Sequence, residues 1–126
     1  MDIINNVPNT PKPIGPYSIA TTSNGLIFCS GQIGLDPNTG AFVEGGVEAQ
    51  AKQVLENLSA VLKASGSSFE KVLMTTVFLK SMDDAKLVGA IYTNYISATK
   101  PPARQTVAVS GLPMGALIEI SLIAEA

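Results

Sequence analysis

An arginine and a glutamate near the C-terminal end carry the side chains best suited to act on a small anionic substrate. Arg104 follows two prolines, Pro101 and Pro102, and Glu119 lies further along the chain. The guanidinium offers a planar fork of donors that matches a carboxylate, and the prolines reduce the entropy lost in holding it. The Glu119 carboxyl could exchange protons with water if partial burial raised its pKa. From these two residues alone, an anion-plus-base site and a structural salt bridge both stay open.

Two predicted strands position this pair. Alternation puts Arg104 and Thr106 on one face of the strand that follows the prolines. In the strand at residues 117–122, Glu119 stands opposite an apolar row. We expect the two strands to be neighbours in the sheet. On the sheet face that no helix covers, we expect four of their side chains: Arg104, Thr106, Glu119 and Ser121.

Three residues in the first third of the chain could line the same site. Ser30 and Gly31 place a hydroxyl and a bare backbone N–H at the end of a strand, which suits an oxyanion or carboxylate cradle. The alternative for this pair is an ordinary strand-terminating turn. Tyr17 could supply a phenol at the pocket wall, or it could be a core aromatic with a hydrated hydroxyl. Cys29 lies in an apolar strand and is predicted to be inert packing.

The element order predicts an α+β fold, a mixed sheet with two helices on one face, in a single domain spanning residues 1–126. Strand patterns at 17–22 and 26–30 flank Asn24-Gly25, a tight-hairpin signal. Apolar spacing predicts a helix over 46–66 and a second helix from 82 to about 96, and richness in β-branched residues predicts a strand over 72–80. Gly89 lies inside that second helix, at a cost of ~1 kcal/mol relative to alanine. Close packing is the predicted reason, and contact with a ligand is the alternative.

Composition excludes several classes of function. The chain has no histidine, which removes Ser-His-Asp and Cys-His catalysis and histidine metal sites. A net charge of −2 without a basic run predicts little attraction to nucleic acid. No zinc spacing, phosphate loop or dinucleotide fingerprint is present, so neither a metal nor a cofactor is predicted.

Location and assembly also have compositional signals. The single cysteine cannot form an internal disulfide, no apolar run approaches the ~20 residues that span a bilayer, and no targeting segment is evident, so the cytoplasm is expected. Hydrophobic residues make up 46% of the chain and charged ones 14%. This apolar balance suggests that other copies of the chain cover part of its surface.

Several segments of the chain, in this order, resemble a known family. They are Gly15-Pro16-Tyr17-Ser18, Phe28-Cys29-Ser30-Gly31-Gln32-Ile33, Asp36-Pro37 with Thr39-Gly40, residues 53–58, residues 75–79, Pro101-Pro102-Ala103-Arg104-Gln105-Thr106-Val107, Leu112-Pro113 and Ile118-Glu119-Ile120. Together they resemble the reactive intermediate deaminase family, the RidA/YjgF proteins, also labelled endoribonuclease L-PSP or translation inhibitor. The resemblance covers essentially the whole chain.

The resemblance implies a chorismate-mutase-like fold assembled as a homotrimer, with clefts between subunits. It implies hydrolysis of reactive 2-imino and enamino acids, such as 2-aminoacrylate, to 2-keto acids and ammonia, as a 2-iminobutanoate/2-iminopropanoate deaminase without a cofactor. Arg104 corresponds to the carboxylate clamp and Glu119 to the group that activates water. The remaining residues with a counterpart in the substrate pocket are Tyr17, Ser30, Gly31 and Thr106.

Two positions depart from the common family pattern. Many relatives have cysteine where Thr106 stands and asparagine where Gly89 stands, so substrate range and rate are more open to change than the type of reaction, for which Arg104 and Glu119 both remain. Two rival functions stay open: an endoribonuclease that inhibits translation, and a non-enzymatic ligand-binding or chaperone-like protein on the same fold.

Overall fold

The predicted α+β fold is confirmed. The structure, a computed structural model, describes all residues 1–126. Its strands and helices are β1 (Asp2–Ile4), β2 (Ala20–Ser23), β3 (Leu26–Gln32), α1 (Gly46–Ala64), β4 (Val72–Leu79), α2 (Ala85–Tyr92), β5 (Ala103–Ala108) and β6 (Ile118–Glu125). Helix α2 is shorter than its apolar pattern suggests and ends at Tyr92. Neither helix combines the length and apolar character needed to cross a bilayer.

The six strands form one mixed sheet in the order β1-β2-β3-β6-β4-β5. Only β4 and β5 are parallel, and the other neighbours are antiparallel. The apolar stripes of α1 and α2 cover one sheet face and build the main core with it. Leu55, Leu58 and Ile120 are fully buried there. Cys29 is buried in the same core, as predicted, and burial raises the pKa of its thiol to about 12.

The prediction that the Arg104 and Glu119 strands are neighbours is wrong. Strand β4 lies between β5 and β6 and pairs with both. The reason lies in helix α2, which connects β4 to β5. A strand–helix–strand crossover returns the chain parallel to its starting strand, so β5 joins β4 at the sheet edge.

The prediction that one sheet face carries both charged residues is also wrong. Arg104 pairs with Thr75, and Thr75 pairs with Leu122 on the helix-covered face. Thr106 pairs with Val77 and shares that face. Glu119 pairs with Phe78 on the open face, because paired residues project to the same side and neighbours along a strand alternate. Ser121 does lie on the open face, as predicted.

The close packing predicted around Gly89 is wrong as well. A Cβ built on this residue meets no atom within 4 Å. Its φ is not positive, so the backbone conformation does not require glycine either. The space beside this turn of α2 is therefore open.

Candidate functional site

The predicted site residues fall into two separate hollows. We call the first the Glu119 cleft; it is lined by Tyr17, Ser30, Gly31 and Glu119 together with parts of residues 11–14 and has a volume of about 430 Å³. We call the second the Arg104 pocket; it is lined by Arg104, Thr106 and one side of α2 and has a volume of about 130 Å³. The structure thus brings together four of the predicted residues in one place and two in the other.

A β-bulge shapes the Glu119 cleft. Cys29 pairs with Leu122 and Gln32 with Ile120, so β3 carries one extra residue at Ser30-Gly31. Such a bulge bends its strand and redirects the side chains around it. The Ser30 backbone N–H donates to the Ile19 carbonyl at 2.9 Å, and its hydroxyl donates to the Ser18 carbonyl at 2.6 Å. These two bonds fix the segment that carries Tyr17 beside the bulge.

Glu119 lies against the bulge and has no ionic partner within the chain. A Cβ on Gly31 would come within 2.8 Å of the Glu119 Cδ and Oε1 atoms, so only glycine leaves the carboxyl its place. Burial raises the pKa of this carboxyl above its ordinary value, because desolvation disfavours the charged form. The carboxyl is therefore easier to protonate than an exposed glutamate.

Two buried amides of α1 hold the loop that follows the bulge. Asn57, fully buried, donates from Nδ2 to the carbonyls of Ile33 at 3.3 Å and Leu35 at 3.1 Å. The backbone N–H of Leu117, the residue just before β6, donates to Gln50 Oε1 at 2.9 Å. Helix α1 therefore fixes both chain segments that end at the cleft. The apolar periodicity of α1 did not identify these two polar residues.

The Arg104 pocket is built from regular elements. The Arg104 guanidinium lies 5.0 Å from the centre of the Tyr92 ring, at the distance of a cation–π contact. The Tyr92 hydroxyl shares a buried 2.8 Å hydrogen bond with Thr75, the residue that pairs with Arg104 in the sheet. This arrangement holds one face of the guanidinium against an anchored ring and leaves the rest of the fork free.

Sequence reasoning missed two residues of these hollows. Tyr92 lies within the apolar spacing that predicts α2, and its contact with Arg104 depends on the parallel pairing of β5 with β4. Lys12, which stands between Pro11 and Pro13 in the sequence, also lines the Glu119 cleft. Its closeness in sequence to Tyr17 could have identified it as a candidate site residue.

The salt bridge left open at the sequence level does not form. Arg104 and Glu119 face opposite sides of the sheet, and the chain contains a single ion pair, Lys52 with Glu48. Neither Arg104 nor Glu119 therefore has an ionic partner within the chain. No three acidic or thiol side chains come together as ligands for a metal ion.

Comparison with known proteins gives a consistent set of matches. A family model described as endoribonuclease L-PSP matches residues 7–126. A RutC family protein of Synechocystis is 50% identical over 90% of this chain and 88% of its own length. The mouse 2-iminobutanoate/2-iminopropanoate deaminase is 46% identical over 90% of this chain and 84% of its own.

A solved structure matches this chain over its whole length. Escherichia coli TdcF with bound serine superposes with a TM-score of 0.93 at 31% identity, covering 100% of this chain and 99% of that one. The agreement extends over the sheet and both helices, so the elements that carry both hollows belong to a shared fold.

Proposed function

This chain belongs to the endoribonuclease L-PSP family, whose reactive intermediate deaminase members the sequence resembles, and from that membership we propose that it is an imine hydrolase. Its substrates are 2-imino acids and their enamine tautomers, such as 2-aminoacrylate, and its products are 2-keto acids and ammonia. The observation that carries the proposal is the half-buried Glu119 carboxyl, which has a raised pKa, lines an open cleft and makes no salt bridge within the chain.

The Arg104 pocket binds the substrate, and the Glu119 cleft activates the attacking water. The Arg104 fork binds the substrate carboxylate, because a guanidinium and a carboxylate match in charge and geometry. Glu119 orients a water molecule and accepts its proton as the oxygen attacks the imine carbon. The proton passes to the nitrogen and gives a carbinolamine. Glu119 then takes the proton of the new hydroxyl and returns it to the nitrogen, so that the C–N bond breaks as the carbonyl forms and ammonia leaves. The imine carbon is already electrophilic, so no covalent nucleophile is needed.

One chain cannot bring both groups to a single small molecule, because they face opposite sides of the sheet. We therefore place the active site between subunits, with Arg104 from one copy and Glu119 from another. The open sheet face offers apolar surface for such contacts: Phe28, Leu73 and Val107 are each more than 40% exposed. A ring of three copies, the assembly that the family resemblance implies, contains three such sites.

Within the composite site, Tyr17, Ser30 and Gly31 line the side of Glu119, and Thr106 lines the side of Arg104. TdcF was solved with serine bound, and an amino acid presents the same carboxylate as an imino acid. The cytoplasmic location stays a prediction that rests on the single cysteine.

A coupled assay tests the proposal. A pyridoxal-dependent threonine or serine dehydratase generates the imine, semicarbazide competes for it, and semicarbazone formation is followed with and without this protein. We expect less semicarbazone with the wild-type chain and no effect with Arg104→Ala. Size-exclusion chromatography should show the same assembly for both. An Arg104→Ala variant with full activity contradicts the assigned role.

The same preparation addresses the rival functions. Carboxylate binding without turnover favours a ligand-binding protein. RNA cleavage that survives purification and is lost in Arg104→Ala favours a ribonuclease, although the net charge of −2 offers little attraction for RNA.

A further inference from the structure

Gln32 is a buried polar side chain without a hydrogen-bond partner in the chain. Five threonine, asparagine or glutamine side chains are buried in this fold. Four of them are hydrogen-bonded within it: Thr10, Gln50, Asn57 and Thr75. The side chain of Gln32, which is only 8% exposed, is the exception. Because a buried amide without a partner is costly, this exception calls for an explanation.

The amide of Gln32 reaches the Glu119 cleft. No fully buried side-chain nitrogen or oxygen lacks a partner, so the unpartnered amide must extend to accessible surface, and Gln32 lines this cleft. The four consecutive residues 30–33 all line it. Consecutive strand residues point to opposite faces, so the cleft adjoins the edge of β3 and not one face only. That edge is open because the pairing of β2 with β3 ends at Cys29.

The amide of Gln32 borders the same part of the cleft as the Glu119 carboxyl. The Glu119 Cδ atom lies 2.8 Å from the place of a Cβ on Gly31. Gln32 follows Gly31 directly, with its Cα atom ~3.8 Å further along the chain. Across the sheet, Gln32 pairs with Ile120, the residue after Glu119. One water molecule can therefore contact both the amide and the carboxyl.

The proposed reaction needs a second contact to its water. Glu119 accepts only one of the two hydrogens, and a water held by one bond turns about it. An amide oxygen accepts a hydrogen bond and does not take the proton, so it fixes the second hydrogen without competing with Glu119. With both hydrogens held, a lone pair of the water oxygen stays directed at the imine carbon.

We infer that Gln32 is a positioning residue for the attacking water: its Oε1 atom accepts the hydrogen that Glu119 does not take. This inference rests on the proposed function. After the addition, the new hydroxyl turns about its C–O bond and presents the same hydrogen to Glu119 for the second proton transfer. The amide stays neutral throughout and forms no covalent bond.

Removing the amide tests the inference. Gln32→Met keeps the length of the side chain and should lower kcat in the semicarbazide assay about tenfold, the scale of one hydrogen bond made in the transition state. KM should change little, because Arg104 binds the substrate. The unfolding temperature should not fall, since the amide has no partner in the chain. Gln50→Met is the matched comparison: this amide is equally buried but accepts the Leu117 N–H, so its loss should lower the unfolding temperature.

Replacing the amide with a carboxyl gives a readout that a structural role does not move. In Gln32→Glu, two carboxyl groups share one water, and their repulsion raises the pKa of the pair. The acidic limb of kcat/KM should therefore move to higher pH than in the wild-type chain. Lys12 and Tyr17, the other ionisable side chains on the cleft, are the same in both chains. Carbon-13 NMR of the Glu119 carboxyl should show the same shift without turnover.

The outcomes separate the two proposals. A wild-type chain that hydrolyses no imine overturns the proposed function and this inference with it. A wild-type chain that hydrolyses the imine, with the same kcat in Gln32→Met, overturns only the role of Gln32. A Glu119 carboxyl that titrates at the wild-type pH in Gln32→Glu does the same. Loss of assembly in Gln32→Met on size-exclusion chromatography would assign the amide to a contact between copies and would also overturn the role.

Discussion

The two hollows of this molecule are built in opposite ways. The Glu119 cleft is formed by irregular backbone: a bulge in β3, a proline-rich segment and a glycine that makes room for the carboxyl. The Arg104 pocket is formed by regular backbone, an edge strand and one face of a helix. The proposed proton-transfer group therefore depends on local irregularity, whereas the proposed binding group depends on ordinary secondary structure.

The two charges also differ in what controls them. Burial tunes Glu119, because desolvation raises the pKa of its carboxyl. A stacked ring orients Arg104, because Tyr92 lies beneath the guanidinium and is itself tied to Thr75. Changes near Glu119 should alter proton transfer, and changes near Arg104 should alter binding. Four experiments test this contrast, beginning with the largest expected effect.

Mixing two inactive variants tests whether the hollows belong to one site. Arg104→Ala and Glu119→Gln should each lose turnover almost completely, because each removes one half of the proposed site. Co-expressed at equal levels, they should recover about a quarter of wild-type activity, since randomly assembled interfaces pair an intact Arg104 with an intact Glu119 at that frequency. Activity is measured on the co-purified assemblies, with separately purified variants as the control.

Recovery can occur only if the two residues act from different subunits. Mixed assemblies that stay as inactive as the separate variants contradict the composite site.

Adding one methyl group at Gly31 should disable the Glu119 cleft. In Gly31→Ala the new Cβ would lie 2.8 Å from the Glu119 carboxyl and push it from its position. We expect kcat to fall by about two orders of magnitude, the scale of a lost general base, while KM changes little. Gly111→Ala is the matched control, because a Cβ there meets no atom within 4 Å. Steady-state kinetics of both variants make the comparison, and a Gly31→Ala enzyme as active as the control argues against it.

The pH dependence should report the buried carboxyl. Because the Glu119 pKa is raised on folding, kcat/KM should begin to fall at a higher pH than an ordinary glutamate of pKa about 4.3 requires, by about tenfold per pH unit. The folded chain also binds this proton more tightly than the unfolded chain does. This contribution to the free energy of unfolding is therefore favourable at low pH and is lost as pH rises from the unfolded toward the folded pKa.

Glu119→Gln should remove that part of the pH dependence of stability, as measured by urea unfolding at several pH values. An activity limb at the ordinary glutamate pKa would falsify the assignment of Glu119 as the titrating group.

Loosening the ring beneath Arg104 should have the smallest effect on activity. Tyr92→Phe keeps the ring but leaves the buried Thr75 hydroxyl without its partner, which costs ~1–3 kcal/mol of stability. KM should rise a few-fold as Arg104 loses its fixed support, and kcat should change less. Thr75→Val combined with Tyr92→Phe removes both polar groups and should unfold at nearly the wild-type urea concentration. If the double variant is as unstable as the sum of the single ones, the hydrogen bond is not the cause.

Much of the fold followed from local patterns. The turn at Asn24-Gly25, the long apolar stripe of α1 and the β-branched run of β4 each depend on residues close together in the chain, and each prediction is confirmed. Tyr17, Ser30, Gly31 and Glu119 line one cleft, and their role as a substrate site stays a prediction. The positions of Arg104 and Thr106 did not follow, because strand order depends on pairing between distant segments.

A usable signal for that strand order was nonetheless present. The sequence of a strand, a helix and a strand at β4, α2 and β5 is typical of a parallel pair. A parallel pairing of β4 with β5 places Arg104 beside Thr75 and therefore on the helix-covered face of the sheet. The apolar residue Val107 is a misleading signal, because an apolar strand residue is expected to face the helices and Val107 lies on the open face. Strand β5 is at the sheet edge, so its helix-side residues remain partly exposed to solvent and need not be apolar.

The sequence by itself determined which side chains are chemically able to bind a carboxylate or move a proton, and which family the chain belongs to. These are properties of residue types and of their order along the chain. Only the tertiary structure decided that Arg104 and Glu119 face opposite sides of one sheet, and that Gly89 adjoins empty space beside Arg104. Both facts depend on which strands and helices meet, and that is settled by contacts between segments far apart in the chain.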